Sequence, residues 1–226
     1  MKGNLFLGAR YFIRGFALLS EPGIRRYVAW PIIVNAVVLT LTSVYSIRWL
    51  DEGVQSWLPG WLSWLYWLIF PIAVLTLLLV LAYFFSTVLM VIASPFYGLL
   101  SEKIEKRAGV EFESEALMSL IRRTIGRELT KLVYVIPRYL GLLILSFIPV
   151  VNLASPVLWF WFGSWVLALQ YTDYSYDNHG RSFNEARQQL GSRSLTAWGF
   201  GGVVALLMVI PVVNWFVMPA AVIGGT

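Results

Sequence analysis

The sequence predicts an all-α integral membrane protein. Of its 226 residues 58% are apolar and only 13% charged, against about 25% charge in an ordinary soluble domain. Mean hydropathy is +0.72. Four windows, residues 27–47, 53–101, 139–172 and 194–226, contain no Asp, Glu, Lys or Arg. No linker of Ser, Gly or charge runs divides the chain, so residues 1–226 are read as a single polytopic domain.

The elements follow in chain order. Leu5, Phe12, Phe16 and Leu19 can share a helical face that avoids Lys2 and Arg10, which predicts an amphipathic interfacial helix over residues 1–20. Gly3, Gly8 and Gly15 weigh against helix there. Basic residues interrupt the segment too often for a cleavable signal peptide. A helix needs about 20 residues to cross roughly 30 Å of hydrocarbon, so the first window, closed by Arg26 and Arg48, predicts a transmembrane helix over 22–49. Trp57, Trp61, Trp64 and Trp67 suit an interfacial belt. They precede a second transmembrane helix over 61–100, long enough to tilt or protrude. Residues 102–138 carry eight basic and six acidic side chains and predict cytoplasmic helices whose charges form ordinary ion pairs on a solvated face.

The last two windows hold a repeat. Ile148-Pro149-Val150-Val151-Asn152 returns 62 residues later as Ile210-Pro211-Val212-Val213-Asn214, and Pro156 and Pro219 follow the two copies. Proline removes an amide donor and obstructs a helix. Each copy therefore reads as two short helices around a Pro/Asn turn, giving half-penetrating, re-entrant hairpins over 139–172 and 194–226 with arms too short to span. Such backbone survives at membrane depth only where protein or water satisfies it, and paired interruptions point to a transport site. Two kinked spanning helices are the other reading. Lys2, Arg10, Arg14, Arg25 and Arg26 against Glu21 place the N-terminus in the cytoplasm.

The absence of cysteine excludes disulfides, thiolate metal sites and thiol nucleophiles. No P-loop motif occurs, so the chain is not by itself a P-loop ATPase. His179 is the only histidine, and Asp177-Asn178-His179-Gly180 suits a turn or helix cap better than a zinc shell. No catalytic residue, metal site or cofactor is expected. The net charge of +5 does not imply nucleic acid, because in a membrane protein the position of the charges matters more than their sum.

One constellation favours anion chemistry. Ser20-Glu21-Pro22-Gly23-Ile24-Arg25-Arg26 places a hydroxyl, a proline, a glycine and two arginines at a helix start. Free amides and partial positive charge there bind oxyanions, and guanidinium adds paired planar donors. An anchor to lipid phosphate fits the same arginines. Arg122, Arg123 and Arg127, with Glu102 and Lys106, could line an anion vestibule. Asn35, Asn152 and Asn214 suit either a pore wall or ties between helices. The four windows contain no acidic residue for a proton relay, which favours a channel-like route.

From about residue 8 onward the chain resembles the CysZ-type sulfate permeases of bacterial inner membranes. The resemblance rests on Glu21-Pro22-Gly23-Ile24-Arg25-Arg26, Tyr83-Phe84-Phe85-Ser86-Thr87, Ala93-Ser94-Pro95-Phe96-Tyr97-Gly98-Leu99-Leu100, Asp173-Tyr174 and Asp177-Asn178-His179. It implies that Gly23, Ile24, Arg25 and Arg26 bind sulfate, with related oxyanions as further ligands. It also implies a multi-pass inner-membrane protein that forms dimers or higher homo-oligomers and supplies sulfate for cysteine biosynthesis. Ser175 departs from the proline common in relatives, and the chain stops at Thr226 without the charged tail they usually carry. A membrane scaffold or biogenesis factor without ion flux is the competing function.

Overall fold

A computed structural model describes the backbone of residues 3–110 and 117–226, with the side chains there except at 28, 31, 32, 35, 82–94, 117, 211, 212 and 215. The side chains of Asn35, of the Tyr83-Phe84-Phe85-Ser86-Thr87 motif and of Ala93 and Ser94 thus lie outside the described residues. All regular elements among the described residues are helical: α1 (Leu5–Leu18), α2 (Arg25–Trp57), α3 (Tyr66–Arg107), α4 (Leu117–Ser146), α5 (Pro149–Asn152), α6 (Ser155–Asn178), α7 (Phe183–Ser192), α8 (Ser194–Met208) and α9 (Pro211–Gly225). Gly60–Leu81 and Met118–Ser146 are long and apolar enough to cross a membrane, and the chain is an all-α membrane protein.

The chain divides into two units: Ala29–Ala93, and Met1–Val28 with Ser94–Thr226. In the first, α2 runs on through Asp51 and Glu52 and ends at Trp57, because Pro59 disfavours helix in the residue before it. A short 3₁₀ turn, Gly60–Leu65, leads into α3. The Tyr66 hydroxyl donates to Asp51 Oδ1 at 2.7 Å and closes this connection. The rings of Trp57, Trp61, Trp64 and Trp67 are all exposed, as an interfacial belt requires.

In the second unit α1 packs on α8 and α9, α6 packs on α8 and α9, and α4 packs on α6. Glycine makes these approaches possible. A Cβ at Gly8 would overlap the Thr196 carbonyl oxygen, at Gly15 that of Ala220, and at Gly201 that of Ser164. The glycines that argue against α1 by propensity are therefore its contact face: Gly8, Phe12 and Gly15 are buried, while Leu5 and Phe16 are exposed. Gly201→Ala is expected to cost about 1–3 kcal/mol, since backbone must yield to the added methyl. Gly202→Ala, whose Cβ would meet nothing closer than Phe160 Cζ at 3.7 Å, is expected to change stability by less than about 1 kcal/mol. Thermal unfolding of the two variants in detergent checks the contrast, and equal losses would refute the contact assignment.

The two proline repeats have one geometry. Ile148 and Ile210 are extended, with φ −82°, ψ 118° and φ −88°, ψ 110°. A proline then opens the next helix, where its missing N–H costs nothing. The Asn152 amide donates to the Ile148 carbonyl at 2.8 Å and the Asn214 amide to the Ile210 carbonyl at 2.9 Å. The arms around them differ. At 15 residues each, α8 and α9 reach about 22 Å, short of a hydrocarbon core. In the first copy both arms exceed the expected length: α4 has 30 residues and α6 has 24. Here α4 continues through Pro137 instead of ending at residue 138, so the helix expected in the cytoplasm and the first hairpin arm are one element. Its charged positions 123, 127, 128 and 131 fall on the face toward α6, and the remainder is largely apolar.

Candidate functional site

The segment between α1 and α2 is built as a tight turn. The Glu21 amide donates to the Leu18 carbonyl at 3.1 Å, the Ile24 amide to that of Glu21 at 3.2 Å, and the Tyr27 amide to that of Ile24 at 2.9 Å. Gly23 has φ +85°, a left-handed conformation that costs other residues more than glycine. Ile24 is 0% exposed and plugs the turn into the second unit. The backbone amides of Gly23, Arg25 and Arg26 have no acceptor among the described residues. Unpaired donors at a helix start are what an anion completes.

Arg25 and Arg26 are both exposed. Arg25 Nε donates to the Ser20 carbonyl at 2.7 Å, which fixes the root of the guanidinium. The Arg26 guanidinium lies 5.3 Å from the centre of the Tyr27 ring. A third arginine, missed in the sequence, completes the turn. Arg107, in the last turn of α3, donates to Glu21 Oε2 at 2.6 Å and also to the Pro22 carbonyl. The turn thus carries three guanidiniums and one carboxylate, which leaves it net positive. The only sequence signal for Arg107 was the basic end of a long helix, 86 positions from Glu21.

The other predicted residues are placed in two groups. Lys106 pairs with Glu102 at 3.7 Å along one helix face, and Arg122 is exposed. Arg123 and Arg127 instead enter a largely buried ion network between α4 and α6. Asp173, 0% exposed, accepts from Arg127 Nε at 2.8 Å and Nη2 at 2.7 Å and lies 3.1 Å from Lys131 Nζ. Asp177 pairs with Arg123 at 2.6 Å and with Arg127 at 3.4 Å. Lys131 also reaches Glu128 at 3.0 Å. Burial pushes the Asp177 carboxyl above its ordinary range, and the nearby Arg123 and Arg127 charges offset that only in part. Arg123, Arg127 and Lys131 recur every four residues on α4, as Asp173 and Asp177 do on α6. That matched spacing was the signal for a salt-bridge ladder.

Neighbouring α6 residues hold a second acid. Glu105, buried on α3, accepts from Ser175 Oγ at 2.5 Å and Asn178 Nδ2 at 2.8 Å. Serine at position 175 therefore supplies a donor that proline could not. His179 caps α6, with Nδ1 donating to the Ser175 carbonyl at 2.8 Å. The Gly180 and Arg181 amides close the helix end on the Asp177 and Tyr176 carbonyls. Asn152 is exposed, and Asn214 Oδ1 is buried with no hydrogen-bond partner among the described residues.

Together these features define an all-α membrane protein with a cationic turn at a helix start. A family model described as Sulfate transporter CysZ/Etoposide-induced protein 2.4 matches residues 11–219, and the chain belongs to this family. Proteins named Sulfate transporter CysZ from Vibrio cholerae serotype O1, in the classical Ogawa 395, M66-2 and El Tor Inaba N16961 strains, are each 41% identical over 227 aligned positions, covering 97% of this chain and 91% of theirs.

Proposed function

We propose that this chain admits sulfate across the bacterial inner membrane by a channel-like route without ATP hydrolysis, to supply cysteine biosynthesis, and that it works as a homo-oligomer of two or more copies. The observation that carries this reading is the Gly23–Arg26 turn, where unpaired amides and two exposed arginines share one helix start. Gly23, Ile24, Arg25 and Arg26 form the sulfate site, with Ile24 as its anchor and the arginines as its charge. Arg122 extends the positive field, while Lys106, Glu102, Arg123 and Arg127 act through their ion pairs. The names of the Vibrio relatives support sulfate as the transported ion.

Moving a dianion against an inside-negative potential costs about 4.6 kcal/mol per 100 mV, from about 2.3 per charge. Passive entry thus requires that sulfate be consumed inside. Purified protein in liposomes is expected to take up labelled sulfate with neither ATP nor a proton gradient. An inside-positive potential of about 60 mV should raise accumulation roughly 100-fold. Uptake that disappears when a proton gradient is collapsed would overturn the passive route, and the absence of any flux would favour a scaffold.

A further inference from the structure

The second unit has a half-open cavity of about 590 Å³ where α1, α6, α7, α8 and α9 meet. None of its lining residues comes from the Gly23–Arg26 turn or from the ion network between α4 and α6. Arg193 lines it and is exposed, with no ion-pair partner among the described residues, and the lining includes no acidic side chain. Hydroxyls from Tyr11, Thr172, Tyr176 and Thr196 share the wall with the apolar ring of Phe200.

These hydroxyls have hydrogen-bonding capacity left. Thr196 Oγ1 accepts the Asn4 amide at 3.0 Å, so its own proton remains free to donate. Thr172 Oγ1 spends its proton on the Ala168 carbonyl at 2.7 Å and keeps lone pairs for a ligand donor. The volume falls within the roughly 300–1,000 Å³ typical of small-molecule sites and far exceeds that of a bare tetrahedral oxyanion. A guanidinium without an ion pair among the described residues favours a single anionic group, and the apolar wall favours an organic body attached to it. A phosphate, with more acceptor oxygens than a carboxylate, uses the guanidinium together with the Thr196 and Tyr11 hydroxyls, whereas Tyr176 spends its proton on Gln189 Oε1 at 3.1 Å.

We propose that this cavity is a second, separate ligand site that takes an organic phosphate, either a soluble metabolite or the headgroup of an anionic lipid, with Arg193 as its charge anchor. Two probes on the purified full chain distinguish the sources: sn-glycerol 3-phosphate for the soluble form and dioctanoyl phosphatidylglycerol for the lipid form. A ligand that binds only the folded state raises its melting temperature. At least one probe is expected to raise it by several degrees, and the probe that does so identifies the source. Arg193→Gln should weaken that binding at least about 10-fold, the scale of one charge-assisted contact, and Arg193→Lys should restore part of it. Tyr11→Phe should cost a smaller factor. The Arg25→Ala/Arg26→Ala double variant should bind the same probe as the unaltered protein does. No shift with either probe, or equal binding by Arg193→Gln, would overturn the proposal.

Discussion

Arg25→Ala combined with Arg26→Ala is expected to weaken sulfate binding by about 30- to 1,000-fold, the largest loss that any pair of exposed substitutions should produce. Each hydrogen bond to a charged group contributes about 1.5–3 kcal/mol, and exposure to water lowers that figure. Two such contacts at an exposed turn then supply about 2–4 kcal/mol together. Both side chains are exposed and neither makes an ion pair among the described residues, so their removal should leave the fold intact. Titration calorimetry of the folded double variant reads the effect. Arg107→Ala is expected to have a smaller but measurable effect, because it frees Glu21 from its 2.6 Å partner and loosens the Pro22 carbonyl beside Gly23. Undiminished sulfate affinity in the double variant would remove this turn from the transport route.

Asp173→Ala is expected to produce the largest stability loss, about 3–5 kcal/mol, as when one partner of a buried ion pair is deleted. The carboxylate it removes is fully buried and holds both nitrogens of the Arg127 fork and Lys131. Without it, Arg127 keeps only Asp177 at 3.4 Å and Lys131 only Glu128 at 3.0 Å, so the network between the helices becomes net positive. Replacing Arg127 by Met in the same molecule should recover part of the loss, because an apolar pair of similar volume carries no desolvation penalty. Thermal or denaturant unfolding in detergent measures both changes. A loss below about 1 kcal/mol would mean that the pair behaves as a solvated one.

Features that depend on near neighbours in sequence were legible before the fold was seen. The Ile-Pro-Val-Val-Asn repeat gave both turns, since proline acts on its own backbone, and Ser20 to Arg26 gave the start of α2. Features that depend on distant partners were not. Arg107 reads as the charged end of a helix until the fold sets it against Glu21. Gly8 and Gly15 read as unfavourable to helix until opposing backbone explains them. Arg123 and Arg127 fitted either ordinary ion pairs or an anion vestibule, and only α6, with acids at the same four-residue spacing, shows which partners they take. The boundary expected at residue 138, between cytoplasmic helices and the first hairpin, is crossed by α4, which runs on through Pro137.

The burial of Ile24 beneath two solvent-facing arginines also has a kinetic consequence. With its backbone bolted down by that side chain and by Arg107, the turn has little freedom to lose when an anion arrives. Capture then needs only side-chain rotation, so the entropy of ordering a loop is already spent in folding. The arrival rate should be set by diffusion in the local field and should fall as ionic strength rises.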